Sequence, residues 1–227
     1  MSTVPPTPLL ALEERPRNLS DIVFEAVHQA ILDKVLEPGE SVTEPGLAER
    51  LNVSKTPVRE ALLRLRQVGL IEADGPRGLR VVQLTPDGVI KTYEIREALE
   101  SFAARRAAES ATPDDHARIL AAACRSHEAA MDGDTAAFRA SNHEMHQAIA
   151  AVTNNPRLSQ LIEDAEALIR TLAHHDFPSG HGMNESGEAH LRIANAIVAG
   201  DADTAQREMA RHIRQVRDLM LETFNES

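Results

Sequence analysis

The sequence predicts a mostly α-helical chain in two parts. A small N-terminal domain of three helices and a β-hairpin comes first, and an all-helical antiparallel bundle of about six helices follows. Three observations predict this. Alanine and leucine supply the apolar mass, while aromatics are only 3% with no Trp and one Tyr, a composition that favours helices over sheets. Apolar residues recur at helical spacing along the chain, except between Leu70 and Val82, where short β-type runs flank turn residues. Charge is divided as well. From Gly46 to Val82 seven Lys/Arg face four acids, whereas from Pro86 onward 14 face 23, within a net charge of −11. Nine of the ten histidines also lie in the second half. Halves that differ in charge and in rare residues suggest two jobs.

Each element follows in order. Ser20 reads as an N-cap, with Asp21 in the first turn behind it. Val23, Val27, Ala30 and Ile31 then mark one helix face, and Glu37-Pro38-Gly39 should stop that helix near Leu36. A short second helix carries Pro45 in its first turn and Leu47, Ala48 and Leu51 on its apolar side. Asn52-Val53 makes a tight turn. Ser54 caps a third helix with Pro57 in its first turn, Val58, Ala61, Leu62 and Leu65 facing inward, and Gly69 at its end. Segments 70–73 and 79–82 are short enough for strands, and Asp74-Gly75-Pro76-Arg77-Gly78 between them is turn chemistry throughout. Three helices followed by a hairpin is the order of a winged helix-turn-helix, placed at residues 19–84. In the second domain, 85–227, helices are expected near 87–110, 114–131, 134–152, 156–175, 184–199 and 201–224. Their breaks fall at Thr112-Pro113, Asp132-Gly133, Asn154-Asn155-Pro156, Pro178-Ser179-Gly180 and Gly200-Asp201.

Several classes are excluded. The one cysteine, Cys124, rules out an internal disulfide framework and a Cys-based zinc site. No run of 18 or more apolar residues exists, so no membrane partner is expected. Residues 1–18, with Pro5, Pro6 and Pro8 but no basic head or apolar core, read as a flexible tail rather than a targeting segment. The expectation is a cytoplasmic protein.

The segment from Leu47 to Gly69 has the layout of a DNA reader. Two helices joined by a tight turn present the second one N-terminus first, carrying Ser54, Lys55, Thr56 and Arg59. Backbone N–H groups and hydroxyls there can hold phosphates. Arg59, opposite Leu62 and Leu65, can reach a guanine O6/N7 edge with two bonds. Arg50 and Lys55 suit phosphate contacts, and Arg77 and Gly78 at the hairpin tip suit a wing. The plainer alternative is a solvated helical hairpin with an ordinary basic face. The run Leu47-Ala48-Glu49-Arg50-Leu51, then Val53-Ser54-Lys55-Thr56-Pro57-Val58-Arg59-Glu60-Ala61-Leu62 and Gly69-Leu70-Ile71, resembles the GntR family of bacterial transcriptional regulators. Lys55 stands where Arg is more usual, and Pro45-Gly46 where the family often has polar residues. Tyr93-Glu94-Ile95-Arg96-Glu97-Ala98-Leu99-Glu100, opening an all-helical domain, is similar to the FadR-type effector domain called FCD, in its shorter VanR-like branch. The resemblance implies a homodimer on double-stranded operator DNA, with a bundle that binds a small carboxylate metabolite.

The bundle also holds a candidate metal centre. Asn142 and His146, at i and i+4, share one helix face. His190 lies ten residues before Gly200 and His212 twelve after it, so an antiparallel pair would bring them level, roughly 15 and 18 Å from the turn. Three imidazoles and an amide oxygen would then form a first shell for a divalent transition metal such as Zn²⁺ or Ni²⁺. The FCD pattern implies the same set, with Asn142 in place of its usual Asp. These neutral ligands leave the metal's double charge uncompensated, which calls for an anionic effector. Arg96 and Arg170 are candidates to pair its carboxylate. For any one histidine, hydrogen bonding in a packed core is the plain alternative. His174, His175 and His181 surround a loop, solvated or lid-forming; His143 should face a different neighbour, and Cys124 reads as a small buried apolar residue. A metalloenzyme would need a base beside the metal, and no His-Glu-x-x-His places one; an interaction module clamped by metal would have no effector.

Overall fold

A computed structural model describes residues 18–75, 78–172 and 181–224. The expected tail apart from Asn18 lies outside the described residues, as do Arg77, the loop histidines His174 and His175, and the side chain of His181. Contacts divide the chain into two compact units. One runs through Gln67 and includes Ile71–Val81; the other combines Val68–Leu70 with the residues from Val82 on.

The first unit opens with α1 (Leu19–Leu32). It starts earlier than expected, because Asn18 rather than Ser20 is the cap. The backbone carbonyl of Asn18 accepts from Asp21 N at 2.8 Å, and Ser20 is turned inward and buried. The helix also ends before Leu36, where Lys34 takes a left-handed φ of 57°. A two-residue strand follows, β1 (Ser41–Val42), which sequence patterning missed because two residues carry no period. Helix α2 (Glu44–Leu51) is capped by Thr43, whose Oγ1 accepts from Gly46 N at 3.1 Å. Asn52, left-handed at φ 52°, turns the chain into α3 (Lys55–Gln67). Strands β2 (Ile71–Asp74) and β3 (Gly78–Val81) complete a sheet of order β1-β3-β2, antiparallel throughout. Only glycine fits at position 78, since a Cβ there would lie 2.2 Å from the Asp74 carbonyl oxygen. Val27, Ile31, Leu47, Val58, Leu62, Leu65 and Val81 are buried, each contributing roughly 1.5–3 kcal/mol by leaving water.

The second unit is helical: α4 (Pro86–Ser110), α5 (Pro113–Asp132), α6 (Thr135–Val152), α7 (Pro156–Leu172), α8 (His181–Val198) and α9 (Ala202–Glu222). Side-chain oxygens stop and start it. Thr85 caps α4, Thr112 and Asp115 form a capping box at α5, and Asp134 and Asp201 cap α6 and α9. Helix α4 packs on α9, α6, α7 and α8, while α5 packs on α6 and α8. Tyr93, Ile119, Met145, Ile149, Ile193, Met209 and Ile213 fill the core, with many alanines between them. Helices α5 and α8 approach closely, for a Cβ on Gly187 would lie 3.0 Å from the His127 Cα. That approach brings Ser126 of α5 within reach of His190 on α8.

Candidate nucleic-acid interface and metal centre

In the first unit, the N-terminus of α3 is an exposed polar surface. Ser54, Lys55, Thr56 and Arg59 are all exposed, while Pro57, Val58, Ala61 and Leu62 are buried on the opposite face. The buried set recurs at helical spacing, which forces the polar set outward. Arg50 is exposed on α2, 3.8 Å from Glu40. Gly78 is half-buried at the start of β3. Arg59 is paired: its Nε donates to Glu44 Oε1 at 3.0 Å and Oε2 at 3.1 Å, and its Nη2 donates to Glu44 Oε2 at 2.8 Å. Arg64, also on α3, is committed to the fold, donating to Asp21 Oδ1 at 2.6 Å while lying 4.3 Å over the Phe24 ring.

In the bundle, His146 of α6, His190 of α8 and His212 of α9 come together. Each is buried, and one ring nitrogen of each lies within 4.8 Å of the other two. His190 Nε2 and His212 Nε2 are 3.3 Å apart. The ring centroids of His146 lie 5.6 and 5.5 Å from those of His190 and His212. Burial pushes His190 and His212 well below the usual imidazole range. Both are therefore neutral, with lone pairs available for a metal. Asn142 sits one turn before His146 and is half-buried.

The surroundings fix ring orientation. His146 Nδ1 is in a very short hydrogen bond with Glu100 Oε2. A carboxylate only accepts, so Nδ1 is the donor, and Nε2 is buried without a partner. His190 Nδ1 is 2.7 Å from Ser126 Oγ, which directs its Nε2 toward His212. These are the supports that metal-ligating histidines use. The residues fit a metal: nitrogens bound at about 2.0–2.1 Å in a tetrahedral shell stand roughly 3.3 Å apart, matching the His190–His212 separation.

Sequence reasoning missed Glu100, Glu166, Ser126 and Tyr93. Behind the histidines, buried Arg96 donates from Nε to Glu100 Oε1 at 2.7 Å and has Nη2 at 3.7 Å from Glu166 Oε1. Burial opposes the charge on Glu100, but Arg96 and His146 prevail and hold its carboxyl below the usual range. Glu166 is likewise opposed by burial, yet the His143 hydrogen bond and the nearby Arg96 charge help bring it down to about 2. Behind the neutral ligand set stand two buried carboxylates, Glu100 on Arg96 and His146, and Glu166 between Arg96, His143 and Arg170, whose Nη1 is 3.3 Å from Glu166 Oε2. Glu100 had a sequence signal, since it lies on the same α4 stripe as Val89, Tyr93, Arg96 and Ala103. Ser126 had none. Glu166 Oε1 and the Tyr93 hydroxyl are buried without hydrogen-bond partners. His143 does face another neighbour, with Nδ1 2.9 Å from Glu166 Oε2 and 2.8 Å from Arg170 Nη1. Arg170, on the rim, also donates to Glu163 Oε1 at 2.6 Å. Both candidate effector arginines therefore sit in carboxylate networks, Arg96 inside and Arg170 at the edge. Cys124 is half-buried. Among the described residues no helix is long and apolar enough to cross a membrane.

Comparison with known proteins adds a family to this geometry. Residues 19–81 match the family described as bacterial regulatory proteins, gntR family, and residues 91–215 match the FCD domain. A relative in Paenarthrobacter nicotinovorans, described as a probable D-xylose utilization operon transcriptional repressor, is 30% identical over 77% of this chain and 76% of its own length. The transcriptional repressor NanR of Klebsiella aerogenes is 28% identical over 91% of this chain and 88% of its own. The solved structure of E. coli McbR/YncC superposes with a TM-score of 0.72 at 24% identity, covering 91% of this chain and 99% of that one.

Proposed function

The chain belongs to the GntR family of bacterial regulatory proteins and carries its FCD domain, and from that premise we propose a metabolite-responsive repressor that acts as a homodimer on a palindromic operator. It is a transcriptional regulator rather than an enzyme. Repression follows its named relatives. Residues 19–84 read DNA and 85–227 sense the effector, in the cytoplasm, where the DNA is. Arg59 reads a base, while Arg50, Ser54, Lys55, Thr56 and the wing residues Arg77 and Gly78 position the backbone. Two-fold symmetry doubles the few base pairs that one winged domain can read.

One observation carries the sensing half: three buried imidazoles on α6, α8 and α9 converge, and the outward nitrogen of His146 has no protein partner. His146, His190 and His212 would hold a divalent metal, Zn²⁺ or Ni²⁺, with Asn142 as an oxygen ligand. The metal would supply a positive point to which a small carboxylate binds. Glu100 and Ser126 hold the rings. Arg96 and Arg170 hold the effector's remaining oxygens by exchanging part of their present carboxylate pairing. A ligand tied to helices from across the bundle then favours one arrangement of the dimer over another, and so changes operator affinity.

The test is elemental analysis of the purified protein, with a thermal-shift screen of small carboxylates before and after EDTA and gel shifts on a duplex selected from a random pool. Bound metal and an EDTA-sensitive carboxylate response are expected. Metal-free protein that keeps its full response after EDTA would reduce the cluster to packing; a metal that raises stability with no carboxylate response would make it a clamp. Loss of sequence preference on Arg59→Ala and a dimer by light scattering are expected of the reading half. A monomer both alone and on DNA would remove the two-fold reading.

A further inference from the structure

Glu44 opens α2, inside the turn closed by the Gly46 N–H to Thr43 Oγ1 hydrogen bond. Its carboxylate grips the Arg59 guanidinium from the side, along the edge formed by Nε and Nη2, through three contacts of 2.8–3.1 Å. Arg59 is nevertheless exposed, with 61% of its side chain open to solvent. A guanidinium has five N–H donors in a planar fork. The side-on grip takes the Nε donor and one Nη2 donor. Both Nη1 donors and the second Nη2 donor remain, and the far edge, with one N–H from each of Nη1 and Nη2, offers the two parallel donors that match guanine O6 and N7.

We propose that Glu44 is a positioning residue that sets DNA specificity: it holds one edge of Arg59 so that the other is presented, already oriented, to a guanine. This rests on Arg59 reading a base, as proposed above. Two physical consequences follow. An arginine side chain loses much rotamer freedom when fixed, and holding it before DNA arrives moves that cost out of the binding step. An unpaired arginine at the protein–DNA surface is also an indiscriminate phosphate ligand. With a carboxylate beside it the local net charge is near zero, so Arg59 gains little from backbone alone and much from a base edge. The pair faces a groove between α3 and the hairpin that also includes Leu63, Arg66, Gly78 and Leu79. The guanidinium holds the Glu44 carboxyl below the usual carboxylate range, so the clamp is ionised at neutral pH.

The experiment uses the full chain. Duplexes are selected from a random 20-base-pair pool with wild type, and affinities for the selected site, its single-pair variants and an unrelated duplex are then measured at several salt concentrations. Arg59→Ala is expected to lose about 5- to 150-fold of discrimination at one guanine position per half-site. Glu44→Gln is expected to lose about 3- to 10-fold at that same position, because the fork is no longer held. The variant should meanwhile bind the unrelated duplex more tightly, with a salt dependence steeper by up to about 0.9 in log–log slope, as one cation is released to the phosphates. In the Arg59→Ala background, Glu44→Gln should change discrimination no further. Wild-type discrimination in Glu44→Gln, with loss in Arg59→Ala, would overturn the clamp and leave base reading intact. Weaker binding to both duplexes, or an equal loss in the Arg59→Ala background, would make Glu44 a structural residue of α2. Unchanged discrimination in Arg59→Ala would remove the base reading itself.

Discussion

Replacing Glu100 with Gln strikes two loads at once. The carboxylate accepts from Arg96 Nε at 2.7 Å and hydrogen-bonds His146 Nδ1, and its side chain is 3% exposed against 7% for Arg96. Glutamine keeps the shape and one acceptor oxygen but loses the charge. Arg96 would then be a buried cation whose nearest carboxylate, Glu166, stands 3.7 Å away. Breaking a buried pair costs about 3–5 kcal/mol, and the retained oxygen and Glu166 argue for the lower end, about 3 kcal/mol. The second load is on the metal. Without an anion at Nδ1, His146 is a weaker and less oriented ligand, and loss of such a support typically lowers metal affinity by about 10–100-fold. The assay is urea unfolding of EDTA-treated protein, followed by titration of Zn²⁺ in competition with a chromophoric chelator. Glu97→Gln is the control, because its pair with Arg214 lies at the surface, half open to solvent, and is worth at most about 1 kcal/mol. If Glu100→Gln unfolds like the control and binds Zn²⁺ like wild type, the carboxylate is neither the partner of Arg96 nor the support of His146.

His190→Ala and His212→Ala should each abolish stoichiometric metal and effector response while DNA binding without effector persists, as elemental analysis and gel shifts will show. Ser126→Ala, which leaves the buried His190 Nδ1 without its partner, should lower Zn²⁺ affinity by about 10-fold and destabilise the metal-free protein by about 1–3 kcal/mol, read by the same chelator competition and urea unfolding. Asn142→Asp should raise metal affinity and weaken binding of an anionic effector, because it supplies a negative charge at the site; calorimetry with acetate as probe reads both. Acid should unfold the metal-free bundle through Glu166. Its folded value of about 2 lies below its ordinary 4.5, so its stabilisation is complete above pH 4.5 and is lost as pH falls toward 2. Glu166→Gln should flatten the acid limb of stability measured by circular dichroism.

The helices were legible because their signals are local. Breaks such as Thr112-Pro113 and Gly200-Asp201, where Thr112 and Asp201 prove to be caps, and apolar spacing lie within a few residues of what they determine. The level placement of His190 and His212 was legible for the same reason, since one tight turn fixes the register of an antiparallel pair. The strand β1 was not, because two residues gain their identity only from β3, nearly forty residues away. The polar network behind the histidines was partly hidden. Arg96 and Glu100 stand at i and i+4 on an apolar stripe, a readable sign of a buried pair. That Glu100 also turns His146, and that Glu166 joins from α7, depends on helix packing that no short spacing encodes. Ser126 is one serine on an alanine-rich helix, and only the close passage of α5 and α8 gives it meaning.

The charge arrangement constrains what the proposed centre can do. Glu100, Glu166 and Arg96 sum to one negative charge, and Arg170, which touches Glu166 from the rim, is offset by Glu163; a bound dication would turn this to one positive charge, and a single carboxylate would bring it to zero. Neither step leaves a large unpaired charge in the core, which is the condition for buried ions to be tolerated. The same arrangement links the elements. Glu100 ties α4 to α6 through His146, Glu166 ties α7 to both, and His190 and His212 add α8 and α9. An effector that recruits Arg96 must share it with Glu100 and Glu166, and Glu100 in turn sets the His146 ring. Carboxylate and metal then compete for, and reinforce, one set of contacts. That is the physical form of a coupling free energy, and it is reciprocal: whatever factor the metal adds to effector affinity, the effector must add to metal affinity. Metal affinity measured with and without acetate therefore gives the coupling directly, and equal affinities in the two conditions would show that the carboxylate binds independently of the metal.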